Sequence, residues 1–194
     1  MPSVARRTRE IAWTRDDILA AAERAFARTG FEATTMQDIA REAGYTVPSL
    51  YAYFEGKQEL YDAVIARLEE EYEKVFDAPE PAGLTFRQRL ELMLTRLFSL
   101  TEKRRCAIVI LLASPARHGR RRLSAFDRTI GRWTRWLRRG APADLGDVDD
   151  TATAIAGLVN AFFLRWMSRG GDGDLTARAP VIADLFLHGL GRRR

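Results

Sequence analysis

Three glycines, Gly30, Gly44 and Gly56, cut the N-terminal part of the chain into pieces that cannot stand as helices on their own. Thr35 opens the first piece as an N-cap, with Asp38 three residues on in a variant of the capping box. Met36, Ile39, Ala40 and Ala43 give that piece one apolar face, and Gly44 stops it. Thr46 opens the second piece, Pro48 sits in its first turn where a missing N–H costs little, and the helix ends near Phe54. Helices below about 12–15 residues are marginal in water, so both must dock on longer neighbours. One neighbour starts at Thr14, with Asp16 and Asp17 in its first turn and Ile18, Ala21, Ala22, Ala25 and Phe26 on one face, and ends at Gly30. The other runs from Lys57 to Phe76, with Leu60, Tyr61, Val64, Ile65, Leu68, Tyr72 and Val75 on one side.

Helical spacing continues to the end of the chain, and strand-like alternation is nearly absent. After the Pro- and Gly-containing break at 77–83, helices are expected at 85–103, 105–114, 123–139, 147–169 and 180–190. The fold class is therefore all-α, with about nine helices. A 46% hydrophobic and 29% charged composition excludes a disordered or coiled-coil chain. The single cysteine, Cys106, excludes a disulfide framework and reads as a small buried apolar side chain beside Ile108, Val109 and Ile110. The first sixteen residues lack the apolar core of a secretory signal. The longest apolar stretch, Thr151 to Met167, is interrupted by Asn160 and Arg165 and falls short of the roughly 20 residues of a membrane span. The expected protein is soluble and cytoplasmic, with no membrane contact.

The net charge of +5 suggests nucleic acid, but its distribution does not locate a DNA surface. Residues 1–60 hold eight Lys/Arg against nine Asp/Glu, a net of −1. Local geometry has to carry the argument. Two short helices joined by Gly44-Tyr45 form a helix-turn-helix, whose second helix needs small or polar residues at its N-terminal end to enter a major groove. Thr46, Val47, Pro48 and Ser49 meet that need. Leu50 and Phe54 face inward, which turns Val47, Ser49, Tyr51 and Tyr53 outward. The two tyrosine hydroxyls either donate to phosphates flanking the groove, or Tyr51 packs on the following helix and Tyr53 is plain surface; periodicity does not decide between these. Lys57 and the Thr35 cap fit the same backbone clamp, where helix dipoles favour anions without net charge. Arg6, Arg7, Arg9 and Arg15 form either a basic arm that reaches the DNA or a frayed tail.

The order Gly30-Phe31, Thr34-Thr35, Ile39-Ala40, Ala43-Gly44, Leu50-Tyr51, Phe54, Lys57 and Leu60 resembles the DNA-binding domain of TetR-type (TetR/AcrR-like) transcriptional regulators. The resemblance spans residues 12–72, with the helix-turn-helix at 35–54. Tyr45 stands where the family more often has a small aliphatic residue, and Pro48 where glycine is common. The resemblance implies a bacterial, all-helical homodimer that represses transcription from a palindromic double-stranded operator and is released by a small-molecule effector. Residues 73–194 are then the ligand-binding and dimerisation domain, joined to the first through a shared helix.

Within 147–169, Ala152, Ile155, Ala156, Val159, Phe162, Phe163 and Trp166 form one apolar stripe, and Ala154, Gly157, Leu158, Ala161 and Leu164 form another. A helix apolar on both sides is buried on both, one face in its own core and the other against a second subunit. The helix at 180–190 is the natural second member of an isologous four-helix interface. The alternative is a central helix of a monomeric bundle. Phe98, Trp133, Trp136, Phe162, Phe163 and Trp166 are the candidates for an aromatic effector pocket, against plain core packing. Arg117, Arg120, Arg121, Arg122 and the series Arg132, Arg135, Arg138, Arg139 either meet an anionic effector or form a solvated helix face.

No cofactor and no metal are expected. His118 and His188 lack ligand-spaced partners, and Asp172-Gly173-Asp174 lacks the later positions of a calcium loop. An enzyme is disfavoured by the absence of a phosphate loop, a nucleophile elbow or a metal-spaced set. A DNA-architectural protein without effector is the other alternative, distinguished by salt-dependent binding to any duplex.

Overall fold

The computed structural model describes residues 4–113 and 119–189, and the side chains of 15–111 and 125–189. Among the described residues there are nine α-helices. They are α1 (Val4–Ala33), α2 (Met36–Ala43), α3 (Val47–Tyr51), α4 (Lys57–Asp77), α5 (Phe86–Lys103), α6 (Arg105–Ala113), α7 (Gly119–Arg138), α8 (Val148–Ser168) and α9 (Ala179–His188). The expected all-helical class stands. One boundary does not: α1 runs straight through Thr14, which is therefore no N-cap. Residues 4–13 are mostly Ala, Arg and Glu, strong helix formers without Gly or Pro, so nothing in them stops the helix upstream. At the other end, Gly30 takes φ 81° and ψ 161°, which breaks the helix and lets Phe31 fold back.

The chain divides into two compact units. The first holds α1 to α3, α4 as far as Glu69, and α6 from Cys106. Ile18, Ala22, Phe26, Ile39, Leu50, Phe54, Leu60, Tyr61 and Val64 form its buried core. Phe26, Phe31 and Tyr61 close an aromatic triangle, with centroids 5.2–6.3 Å apart. α6 joins this unit through buried Ala107, Ile108 and Ile110. It is also held by a hydrogen bond from the Ala107 N–H to the buried Glu23 carboxylate on α1 (3.2 Å). On α4 this unit ends at Glu69, and α6 is grouped with α1 to α4. Cys106, at the start of α6, is exposed and not buried as the sequence suggested. The buried face begins one residue later, at Ala107.

The second unit holds the rest of α4, α5 and α7 to α9. α7 lies along α8, and α9 packs on both α5 and α8. Leu90, Met93, Leu94, Leu97 and Phe98 of α5, Trp133, Trp136 and Leu137 of α7, Ile155 and Ala156 of α8, and Ile182 and Ala183 of α9 are buried. Polar links stitch the helices together: Arg104 to Glu71 (3.1 Å), Arg132 to Glu73 (2.8 Å) and the Tyr72 hydroxyl to Thr101 (3.1 Å). Glu80 accepts from the Trp136 indole N–H (2.7 Å) and from Arg89. No helix among the described residues is long and apolar enough to cross a membrane.

Burial alone pushes the Glu80 carboxyl up, but the hydrogen bonds from Arg89 and Trp136 outweigh it and hold the group below its ordinary value. Its stabilising effect is therefore complete above the ordinary carboxylate range and lost as pH falls through the lowered folded value. Glu80→Ala leaves a buried indole donor and a guanidinium without their acceptor, and costs about 2–3 kcal/mol. Glu80→Gln keeps an acceptor for Trp136 and costs less. Urea unfolding at neutral pH reads the difference, which narrows under acid conditions.

Candidate nucleic-acid interface

The helix-turn-helix is built by capping as the sequence predicts. The Thr35 hydroxyl accepts from the Asp38 N–H (3.2 Å), and the Asp38 carboxylate accepts from the Thr35 backbone N–H (3.0 Å) and hydroxyl (2.6 Å). These bonds, the hydroxyl first, hold the Asp38 carboxyl below its ordinary value and keep it ionised. Gly44 at φ 74° ends α2, and the Tyr45 N–H returns to the Ala40 carbonyl (2.9 Å). The Thr46 hydroxyl then caps α3 through the Ser49 N–H (3.3 Å) and shares a hydrogen bond with the Ser49 hydroxyl (2.8 Å). Pro48 occupies the first turn.

Leu50 and Phe54 are buried, which fixes the rotation of α3. Thr35, Thr46 and Pro48 are exposed, and Val47, Ser49, Tyr53 and Lys57 are half-exposed. Tyr51 is 54% exposed, the largest exposure among the large hydrophobic side chains described.

Two cations differ from their sequence-based expectations. The Lys57 ammonium donates to the carbonyls of Phe31 (2.7 Å) and Glu32 (3.0 Å) and lies 4.5 Å from the centre of the Phe31 ring. It caps the end of α1, and these two acceptors use two of its three N–H groups. Arg15 is not part of a basic arm. Its guanidinium donates to the Tyr53 carbonyl (2.9 Å), sits 4.2 Å over the Phe54 ring and approaches Glu59 (3.9 Å). Side chains of Arg6, Arg7 and Arg9 lie outside the described residues, as do those of Arg117, His118, Arg120, Arg121 and Arg122.

Sequence reasoning missed three further supports. Buried Thr34 donates to the Gly30 carbonyl (2.7 Å) and pairs with the Thr29 hydroxyl (2.8 Å), which ties the start of α2 to the end of α1. Arg24 and Arg28 grip opposite oxygens of Glu42 (2.9 and 3.0 Å), joining α1 to α2. The i, i+4 spacing of Arg24 and Arg28 was a readable signal for that fork; Thr34 carried none beyond its place beside the cap.

Residues 18–64 match the family described as bacterial regulatory proteins, tetR family. The chain belongs to the TetR family. Over 76 residues it is 43% identical to the HTH-type transcriptional regulator TtgR of Pseudomonas putida, a stretch covering 39% of this chain and 36% of that protein. The chain thus spans about a third of the length of that curated relative. A solved TetR-like transcriptional regulator from Rhodococcus sp. RHA1 shares 26% identity and a TM-score of 0.71 over 91% of this chain and 95% of its own. The Bacillus subtilis regulator FadR, solved in complex with stearoyl-CoA, has the same fold at 20% identity, with a TM-score of 0.69 over 90% of this chain and 98% of its own.

In this TetR-family chain the aromatic residues expected around an effector are divided. Trp133 and Trp136 meet edge-on (5.5 Å), Phe76 closes on Trp133 (5.2 Å), and Phe98 is buried in the same unit. The Trp133 indole N–H is buried without an acceptor among the described residues. Phe162 and Trp166 line a separate surface cleft at the end of α8, with Phe163 beside Trp166 at 6.4 Å. Among the described residues no group of three or more His, Cys, Asp or Glu side chains forms a metal cluster.

Lys57→Ala removes a helix cap and a cation–ring contact, and lowers stability by about 1–2 kcal/mol. An ordinary surface lysine changes it by no more than about 0.5 kcal/mol. Denaturant unfolding without DNA distinguishes the two.

Proposed function

We propose that the chain is a homodimeric transcriptional repressor that binds a palindromic operator and leaves it when a small-molecule effector is bound. The observation that carries this reading is the free outer edge of α3, where Thr46, Pro48 and Tyr51 are exposed on a helix whose other face is locked by Leu50 and Phe54. Thr46, Val47, Pro48 and Ser49 meet base edges in the major groove. The Thr35 cap, the Tyr51 and Tyr53 hydroxyls and the remaining Lys57 N–H meet phosphates on either side. None of these contacts needs a positive net charge. The acids that would repel DNA are occupied by neighbours: Asp38 by Thr35 and Arg41, Glu42 by Arg24 and Arg28.

A single five-residue helix reads too few bases, so two copies are required. The outer face of α8 and α9 supports the pairing proposed for helices 147–169 and 180–190. Leu164 and Val181 are exposed, and Leu145, Ala154, Leu158, Leu185 and Phe186 line an open groove of about 400 Å³. A second copy of the chain covers this face. In the second unit, the buried aromatic group around Trp133 holds an indole donor that an effector's oxygen would satisfy, and FadR offers an example of the fold holding a ligand. The effector shifts the population of dimers toward a spacing of recognition helices that no longer spans two successive major grooves.

Selection of duplexes from a random pool is expected to enrich an inverted repeat, and enrichment without symmetry overturns the reading. Tyr51→Phe weakens binding to all sequences alike, and Lys57→Ala flattens the salt dependence by roughly one unit of slope. A Cβ at Gly157 would meet open space in the single chain. Gly157→Leu therefore folds but disrupts the pair; unchanged sedimentation rejects this face as the interface.

A further inference from the structure

In the second unit seven arginines are matched to acids, and Arg96 and Arg105 are held by backbone carbonyls. Arg87 pairs with Asp184, Arg89 with Glu80, Arg104 with Glu71, Arg132 and Arg135 with Glu73, Arg138 with Asp149, and Arg139 with Asp77. Arg165, Arg169 and Arg178 form no ion pair among the described residues. All three line one cleft of about 230 Å³, together with the rings of Phe162 and Trp166. Phe162, Arg165 and Trp166 share one side of α8 by helical spacing, Arg169 is the residue that ends the helix, and Arg178 comes from the short 3-10 turn at Thr176–Arg178.

The walls of this cleft are fixed by other groups. The Trp166 indole N–H donates to the Gly173 carbonyl (3.0 Å), so the tryptophan presents ring and no donor. Arg105 sits over that ring, 5.7 Å from its centre, and its guanidinium donates to the Gly170 carbonyl. Asp174 is committed to the Thr176 hydroxyl and the Ala177 N–H (3.2 Å) and only secondarily attracts Arg178 through charge, which leaves exposed Asp172 as the one acid of the lining without a fixed role. Three guanidinium groups against two carboxylates, one of them engaged, give a positive rim above an aromatic floor. Like charges held together at the mouth of an apolar cleft favour an anion between them.

We propose that this cleft binds a small aromatic carboxylate, its ring against Phe162 and Trp166 and its carboxylate between Arg169 and Arg178. The space is below the roughly 300–1,000 Å³ of sites for drug-sized ligands and suits a single ring. Arginine forks match a carboxylate in two-point geometry. Arg165 shares the outer face of α8 with Ala154, Leu158 and Ala161, the face given above to a second copy. The charge recognition therefore rests on Arg169 and Arg178. The site is distinct from the buried aromatic group around Trp133, and the proposal holds whether or not the chain represses transcription.

The test is calorimetric titration of the purified full-length protein with benzoate, with benzyl alcohol as the neutral analogue and inorganic phosphate as the ring-free anion. Benzoate is expected to bind at least tenfold more tightly than either. Arg169→Ala and Arg178→Ala each weaken benzoate at least tenfold, whereas Arg135→Ala, on α7, leaves it unchanged. Both variants alter exposed side chains, and equal melting temperatures establish that they fold. Equal binding of benzoate and benzyl alcohol, equal binding of phosphate, no binding at all, or wild-type affinity in both arginine variants each overturns the proposal. Since no DNA is present, failure here is separate from failure of the repressor reading.

Discussion

A helix of five residues has no stability of its own, and everything α3 presents depends on what holds its inner face. Leu50 and Phe54 enter a core made by α1 and α4, and burying side chains of that kind is worth about 1.5–3 kcal/mol each. Their burial sets both the depth and the rotation of α3. Directional bonds at the ends hold that setting: Thr46 at the N-terminus of α3, Arg15 on the Tyr53 carbonyl just past its C-terminus, and Lys57 on the carbonyls that end α1. Arg15 and Lys57 also lie over Phe54 and Phe31, rings at the edge of the same core. Each cation satisfies otherwise open helix carbonyls and covers an aromatic face at once, so a small domain gains rigidity where its interface begins.

The same economy explains how a segment with net charge −1 can suit DNA. Glu42 and Glu59 are turned to arginines of α1, and Asp38 closes the cap of α2. The acids thus act as structural acceptors, while the exposed edge of α3 carries hydroxyls, a proline ring and a tyrosine. Donor geometry, and not charge excess, is the resource this surface offers. In the second unit the pattern reverses: arginines outnumber acids, and most are tied to a carboxylate on a neighbouring helix. Arg132 is only 3% exposed, and the Glu73 carboxylate pairs with it at 2.8 Å.

Much of this was legible in the sequence, for identifiable reasons. The caps at Thr35, Thr46 and Thr85, the stop at Gly44 and the order of helices are set by bonds spanning three to five residues, and those leave local signatures. What could not be read were contacts between distant residues. Nothing beside Arg15 or Lys57 says that a cation will turn inward, because the carbonyl and ring it meets are tens of residues away. Cys106 failed for a related reason: its apolar neighbours belong to a helix whose buried stripe starts at Ala107. Thr14 failed because a good cap residue is silent when a helix former precedes it. The tryptophans show the limit most clearly. Aromatic character alone grouped Trp133, Trp136 and Trp166, yet the first two are interlocked core and the third walls a surface cleft.

α8 draws these strands together. Its inner stripe, Ala152, Ile155, Ala156 and Phe163, is consumed by the core of its own unit. Its outer stripe is largely apolar and made mostly of small residues, Ala154, Gly157 and Ala161, with Leu158 and Leu164 at the margins and Arg165 at its C-terminal end. A solvated helix gains nothing from such a stripe, since glycine weakens the helix and leucine exposes apolar area. Against another helix the same residues allow close approach, and the groove toward Leu185 and Phe186 offers the depressions that a leucine can fill. The face is also self-complementary in kind, small residues at the centre and larger ones at the edge, as an isologous pairing requires. A recognition helix too short to specify a site alone and a bundle helix with a second apolar side are thus two halves of one requirement. Both are met by the second copy of the chain proposed above.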